Sequence, residues 1–346
     1  MSFKEGLLLS VLFGCSALTA CGGGGGGGSG GSGNSSNEAP SQSTRAATSI
    51  TSANAVAVSG EVDQVNQVML SARDLSSAFA SGVVVEPSAK HFNVVDFSRK
   101  QLERVMAFEP NSVLVATGGV VTSTVNCATS GSVTVTLNDN DDNNEFSNGD
   151  TAKIVFNNCA ESGATSNGSI RFTSTTVNGT VGGAGGWDVS ATVGFVKLRV
   201  VEGFITHGIN GSMNIAIATT DGNIFTSSIS GASLSMSQNS QKSVLTDFAA
   251  NVTYNNSSLL YNYSSSGTID SDQLNGSVTF ETLTPFQQDK NSDFPTSGVM
   301  KVTGANASSL KLTALDVVNV QLETDADGDG TYETSVNKTW TDITGI

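Results

Sequence analysis

From about Val113 onward, apolar and polar side chains alternate with period two in short runs separated by clusters of Gly, Asn, Asp and Ser. One long run sets Val244, Thr246, Phe248, Ala250, Val252 and Tyr254 on one face, with Leu245, Asp247, Asn251 and Thr253 opposite. The alternation recurs at Met213, Ile215 and Ile217; at Leu259, Tyr261 and Tyr263; at Val278 and Phe280; and at Val318, Val320 and Leu322. Strands of this kind bury one face and wet the other, which predicts antiparallel pairing. Gly-Ser pairs at Gly131-Ser132, Gly168-Ser169, Gly211-Ser212 and Gly276-Ser277 read as strand openings. Their spacing is too irregular for a solenoid repeat, so they are taken as turn chemistry. Residues 113–346 are therefore expected to be mainly β: a large antiparallel sheet arranged as a sandwich or as a curled open barrel.

Upstream the period lengthens. Val65, Val68, Met69, Ala72, Leu75 and Phe79 recur at helical spacing between Ser59 and Ser81, with no proline among them. Ser98-Arg99-Lys100-Gln101 has the form of a capping box, and Leu102, Val105 and Met106 follow it before Pro110. A small helical section over 50–112 is thus predicted to precede the sheet.

The first residues read as a targeting segment. Apolar Leu7, Leu8, Leu9, Val11, Leu12 and Phe13 follow Lys4 and are too few to span a bilayer, so residues 1–20 are assigned to a signal peptide. The tetrad Leu18-Thr19-Ala20-Cys21 resembles the lipobox of bacterial lipoproteins. That resemblance implies export, cleavage before Cys21 and acylation of its thiol. Unbroken glycine from Gly22 to Gly28, then Ser29-Gly30-Gly31-Ser32-Gly33, is similar to the tether of such proteins, and residues 21–49 are assigned to it. As a flexible coil, the stretch from Gly22 to Arg45 spans roughly 25 to 30 Å. Gly22 stands where an aspartate retains enterobacterial lipoproteins in the inner membrane, so the resemblance implies the outer membrane.

Charge narrows the partners. The formal net charge is -15 with only 16 Lys and Arg, too few to neutralise a phosphate backbone, and nucleic acid is not expected as a partner. A membrane-spanning barrel is disfavoured because no aromatic girdles are discernible in a chain that is 6% aromatic. With Cys15 removed with the signal and Cys21 acylated, Cys127 and Cys159 remain in an oxidising compartment and are expected to pair. Neither has a CxxC frame or a neighbouring histidine that would suggest a metal site instead.

Two acidic segments stand out. In the first, Asp139, Asp141, Asn143 and Asp150 occupy loop positions one, three, five and twelve, with Glu145 between them, the ligand spacing of an EF-hand calcium loop. Asn144 takes the place of the usual glycine, and Asp150 that of the usual glutamate, as in dockerin-like loops. The second segment places Asp325, Asp327 and Asp329 at positions one, three and five and Gly330 at six, but Val336 at twelve. Glu333, or a group from elsewhere in the fold, would have to complete that shell. The flanks of the first read as strands, so its ion would sit at a hairpin tip.

The unit from Cys127 through the first acidic loop to Phe156-Asn157-Asn158-Cys159 resembles a motif of uncharacterised proteobacterial outer-membrane lipoproteins, and the stretch from Pro295 to Trp340 is similar to their C-terminal part. The resemblance implies location and a β body, and no reaction. His91 and His207 are the only histidines and lie in no Gly-x-Ser-x-Gly or His-Glu-x-x-His frame; Gly182-Gly183-Ala184-Gly185-Gly186 lacks the Lys-Ser or Lys-Thr of a phosphate loop. The expected function is a non-catalytic envelope lipoprotein, a binding or structural module held by weakly bound Ca2+ and one disulfide. The alternative is a carrier of a lipid or other apolar ligand in a curled sheet.

Overall fold

The computed structural model describes residues 45–70, 97, 101, 120–141, 147–161, 163–179 and 185–344. Fourteen strands among them form one sheet: β1 (Val120–Asn126), β2 (Ser130–Asn138), β3 (Thr151–Glu161), β4 (Ala164–Asn178), β5 (Trp187–Glu202), β6 (Ile205–Thr219), β7 (Ile224–Gln238), β8 (Gln241–Asn255), β9 (Leu260–Ser271), β10 (Gly276–Asp289), β11 (Ser297–Thr303), β12 (Ser309–Ala314), β13 (Asn319–Asp325) and β14 (Thr334–Thr339). Each pairs antiparallel with the next, in sequence order, leaving β1 and β14 as edges. The expected large antiparallel sheet is thus a single open meander, neither two separate sheets nor a closed barrel. Among the described residues the helices α1 (Ala55–Leu70) and α2 (Trp340–Thr344) accompany it.

Strands β4 to β8 are 15 or 16 residues long and none runs straight. Register shifts lie between Phe156 and Cys159 in β3, Asn167 and Ser169 in β4, Phe195 and Leu198 in β5, Gly211 and Asn214 in β6, and Thr246 and Ala249 in β8. A left-handed residue occupies or borders each shift: Asn158 (φ 48), Gly168 (φ 98), Lys197 (φ 48), Gly211 (φ 125) and Asp247 (φ 48). Neighbouring strands bulge at neighbouring positions, so the irregularities form a line across the sheet, the device by which long strands bend. Three of the four Gly-Ser pairs take part in these shifts. Gly168 and Gly211 lie inside strands at register shifts instead of opening them, whereas Gly131, the second residue of β2, opens its strand as expected and also sits at a shift between Ser130 and Ser132; at all three only glycine fits where the partner backbone comes this close. Gly276 does open β10, against Ala46 and Thr48.

The bulges also correct the face assignment in β8. Downstream of Asp247, Phe248, Ala250, Val252 and Tyr254 are buried as the alternation requires. Upstream the extra residue switches the parity: Leu245, assigned above to the opposite face, joins the main core, and Val244 is buried outside it. Leu259 and Val318, counted above as strand positions, are exposed turn residues.

The core lies on one face of the sheet and reaches from Val133 on β2 to Leu322 on β13. Helix α1 begins earlier than predicted and turns Val58, Val62 and Val65 into that core. It meets α2 so closely that a side chain on Gly60 would stand 2.8 Å from the Ile343 carbonyl oxygen. Asn66 fixes its other side, accepting the Ser265 hydroxyl at 2.6 Å. The rest of the predicted first helix and nearly all of the second lie outside the described residues; Gln101 of the second is helical, as is Phe97 just ahead of its predicted start, and the Phe97 ring packs 5.8 Å from that of Phe156.

Residues 45–49, assigned by composition to the tether, are part of the body. Ala47 forms a parallel bridge to Ser277, the Thr48 amide donates to the Ser277 carbonyl at 2.9 Å, and Arg45 pairs with Asp270 at 2.5 Å and Asp272 at 2.8 Å.

Candidate metal centre

The hairpin joining β13 to β14 carries the second acidic segment, and its carboxylates converge. Asp325, Asp327, Asp329 and Glu333 each offer an oxygen, all four lying within 4.8 Å of one another. Local hydrogen bonding explains why. Asp325, buried at the end of β13, accepts the Gly328 amide at 2.7 Å on one oxygen and the Gly330 amide at 3.0 Å on the other. Asp327 accepts the Asp329 amide at 3.2 Å, and Asp329 that of Thr331 at 2.7 Å. Glu333 reaches back to the Ala326 amide at 3.1 Å. Each bond folds a carboxylate inward over the turn, and a carboxylate oxygen that accepts one N–H keeps a lone pair for another partner.

The turn needs its glycines. Gly328 (φ 78) and Gly330 (φ 91) take left-handed backbone, and Gly328 packs against Asn306 and Ala307 of the β11–β12 connection. Lys311 sits beside the loop, paired with Glu323 at 2.7 Å and 4.6 Å from the centre of the Tyr332 ring. Val336, at position twelve of the EF-hand register, lies in β14 opposite Leu322 and is exposed. Glu333 at position nine is therefore the fourth carboxylate. This arrangement can hold a metal ion through oxygen ligands alone.

The first acidic segment joins β2 to β3. Among its described residues Asp139, Asp141 and Asp150 form a second convergent set within the same 4.8 Å; Asn143 and Glu145 lie outside the described residues. Asp150 is buried and uses both oxygens on the loop backbone, accepting the Asn140 amide at 2.7 Å and the Ser147 amide at 2.6 Å. Asp141 accepts the Ser147 hydroxyl at 2.9 Å. The ligand spacing read from sequence was fuller here, yet the second loop gathers the larger described set.

Cys127, in the β1–β2 turn, is joined to Cys159 of β3, with Cα atoms 5.4 Å apart. Glu161 lies near the pair, but sulfurs consumed in a disulfide do not ligate metal. Cys21, with the whole of residues 1–44, lies outside the described residues. So does His91, while His207 is buried on β6 between Val200 and Gln238.

Two buried acids escaped the sequence reading, Asp270, which Arg45 pairs with, and Glu61. Glu61 lies on the inward face of α1, and burial raises its carboxyl above the ordinary range even though the Ser271 and Ser243 hydroxyls stabilise the anion. Val58, Glu61, Val62 and Val65 stand at helical spacing, so an acid within that stripe was the available signal. Among the described residues no helix is long and apolar enough to cross a membrane. Comparison of the chain with protein-family models, with curated proteins and with solved structures gives no match.

Proposed function

We propose that this chain is a non-catalytic envelope lipoprotein, exported by residues 1–20, acylated at Cys21 and held at the outer membrane, whose β body is a binding or structural module stiffened by calcium. The observation that carries the calcium reading is the convergence of Asp325, Asp327, Asp329 and Glu333 in one short turn. Two unit charges at about 5 Å repel by about 1 kcal/mol even at the dielectric of water, so four carboxylates in one turn favour a compensating cation. An all-oxygen set suits a hard divalent ion, and calcium accepts irregular geometry where magnesium demands an octahedron. The absence of charged-relay frames around either histidine in the sequence supports a role other than catalysis.

Calorimetry and melting curves in calcium test this reading. Extracellular modules commonly bind at about 0.1 to 1 mM, and a tenfold excess over Kd stabilises by about 1.4 kcal/mol. For a body of this size that is a rise of about 2 to 4 °C. Asp327→Asn with Asp329→Asn is expected to remove most of the response, and Asp139→Ala with Asp141→Ala the share that the first loop contributes. No heat at several millimolar calcium and unchanged melting curves would leave both segments as acidic turns. The anchor is tested separately: Cys21→Ser is expected to abolish lipid labelling and membrane retention, and persistent labelling would overturn it. The alternative, a carrier of apolar ligands, draws no support from the apolar cavity beneath α1, which is about 20 Å³ and has room for little more than one water.

A further inference from the structure

A second cavity, of about 370 Å³, lies between the middle of α1 and the rim of β6, β7 and β8. That volume falls in the ~300–1,000 Å³ range of small-ligand sites, and its lining is unlike the core. More of its wall is apolar than polar, and carboxamides are prominent in the polar part: Gln64 from α1, Gln238 and Gln241 flanking the β7–β8 turn, and Gln273 from the β9–β10 turn. His207 joins them, and Ile209 and Met236 supply an apolar strip. No Asp, Glu, Lys or Arg is among the described lining residues, in a chain whose net charge is -15.

Each candidate ligand class meets a different cost. An ion leaving water for this cavity would find no charged side chain in its described lining to offset its desolvation, and the Glu61 carboxyl behind Ser243 is already taken up by the Ser243 and Ser271 hydroxyls. A wholly apolar ligand would cover the amides without pairing them, at about 1 to 3 kcal/mol for each group left unsatisfied. A carboxamide presents a donor and an acceptor side by side, which matches a hydroxyl that both gives and accepts. A ligand rich in neutral hydroxyls, with one C–H face to lie on Ile209 and Met236, satisfies both kinds of wall. We infer that this cavity is a binding site for a neutral saccharide, one or two sugar residues in extent, distinct from the acidic loops.

The test uses the full chain and four probes: glucose and N-acetylglucosamine as neutral sugars, glucuronate as the anion and glucosamine as the cation. Ligand-detected NMR and calorimetry are expected to show saturable binding of at least one neutral sugar, with the charged probes weaker by about tenfold or more. Gln238→Ala with Gln241→Ala should weaken that binding by about tenfold or more, while Gln321→Ala on β13 leaves it unchanged. Melting curves of each variant separate lost binding from lost folding; a double variant that fails to fold is replaced by Gln273→Ala, on the turn. No neutral sugar bound at about 20 mM, or glucuronate or glucosamine bound as tightly as the neutral probes, overturns the assignment.

Discussion

The line of bulges makes a quantitative prediction through three glycines close together on β3–β5. Gly168 has φ +98, and a methyl there would press on the Lys197 carbonyl and stand 2.8 Å from the Leu198 Cα, both backbone and unable to swing aside. Gly163, in the β3–β4 turn, has φ +80 with nothing within 4 Å of the added carbon. Gly194, within β5, has no left-handed φ, and its methyl would meet only the Arg171 carbonyl at 4.0 Å. Gly163→Ala therefore isolates the backbone cost, about 1 kcal/mol for placing an L-residue in the left-handed region. Gly168→Ala adds overpacking of about 1 to 3 kcal/mol, for a total of about 2 to 4. Gly194→Ala should be neutral or stabilise by up to about 1 kcal/mol, since the unfolded chain loses freedom. Urea unfolding followed by fluorescence reads this well, because both tryptophans of the chain, Trp187 and Trp340, are buried. If Gly168→Ala falls within about 0.5 kcal/mol of Gly163→Ala, the close strand approach is not what the glycine is for.

Removing the disulfide as Cys127→Ala with Cys159→Ala should cost about 3 to 4 kcal/mol, the chain-entropy value for a separation of 32 residues, and an unchanged urea midpoint would refute it. Glu61 holds its proton more tightly folded than unfolded, so its contribution is most favourable below its ordinary value near 4.5 and declines as pH rises through the window above it. Glu61→Gln should consequently raise the melting temperature at pH 7 relative to the parent and shrink that gain toward pH 4; a gain independent of pH would contradict the burial argument. Arg45→Ala deprives the buried Asp270 carboxylate of its cation and should cost about 1 to 3 kcal/mol, with Asp270→Asn in the same chain recovering part of the loss. Equal stability of the single and double variants would show that the pair is not coupled.

Alternation alone located the sheet, its antiparallel pairing and most of its buried face, because burying one side of a strand constrains every second residue. What it could not register is a bulge. Asp247 and Lys197 adopt φ 48 with no glycine to mark them, and each such residue shifts the parity of everything upstream on its strand. Leu245 was misassigned for that reason alone. The second acidic loop shows a related effect of context. In a helix-flanked loop position twelve turns back to the ion, whereas here the chain has already become β14 by Val336, and Glu333, the last acid before the strand, supplies the fourth converging carboxylate. Open meander and closed barrel carry the same local pattern; pairing of first and last strands is a long-range property that no short window contains.

An open meander also has a weakness that its reinforcements match. Each inner strand is held by two neighbours, but β1 and β14 have one each among the described residues, so the outermost hairpins are the parts expected to fray first. The disulfide ties the β1–β2 turn to β3, bracing one edge. At the other edge, α2 follows β14 directly; Trp340 donates its indole N–H to the Asp316 carbonyl at 3.1 Å and stacks 5.7 Å from Phe294. The two acidic loops lie in the β2–β3 and β13–β14 hairpins, one next to each edge. A cation in either would close a turn that carboxylate repulsion otherwise opens, where the sheet supplies the least support of its own. Calcium stabilisation would therefore act at the margins of the sheet, so on calcium addition amide exchange in β13 and β14 should slow even for amides that open more readily than the whole body unfolds, while β5 to β8 slow only where they exchange through global unfolding. Slowing confined to amides that exchange through global unfolding would instead mean that the edge hairpins do not open on their own.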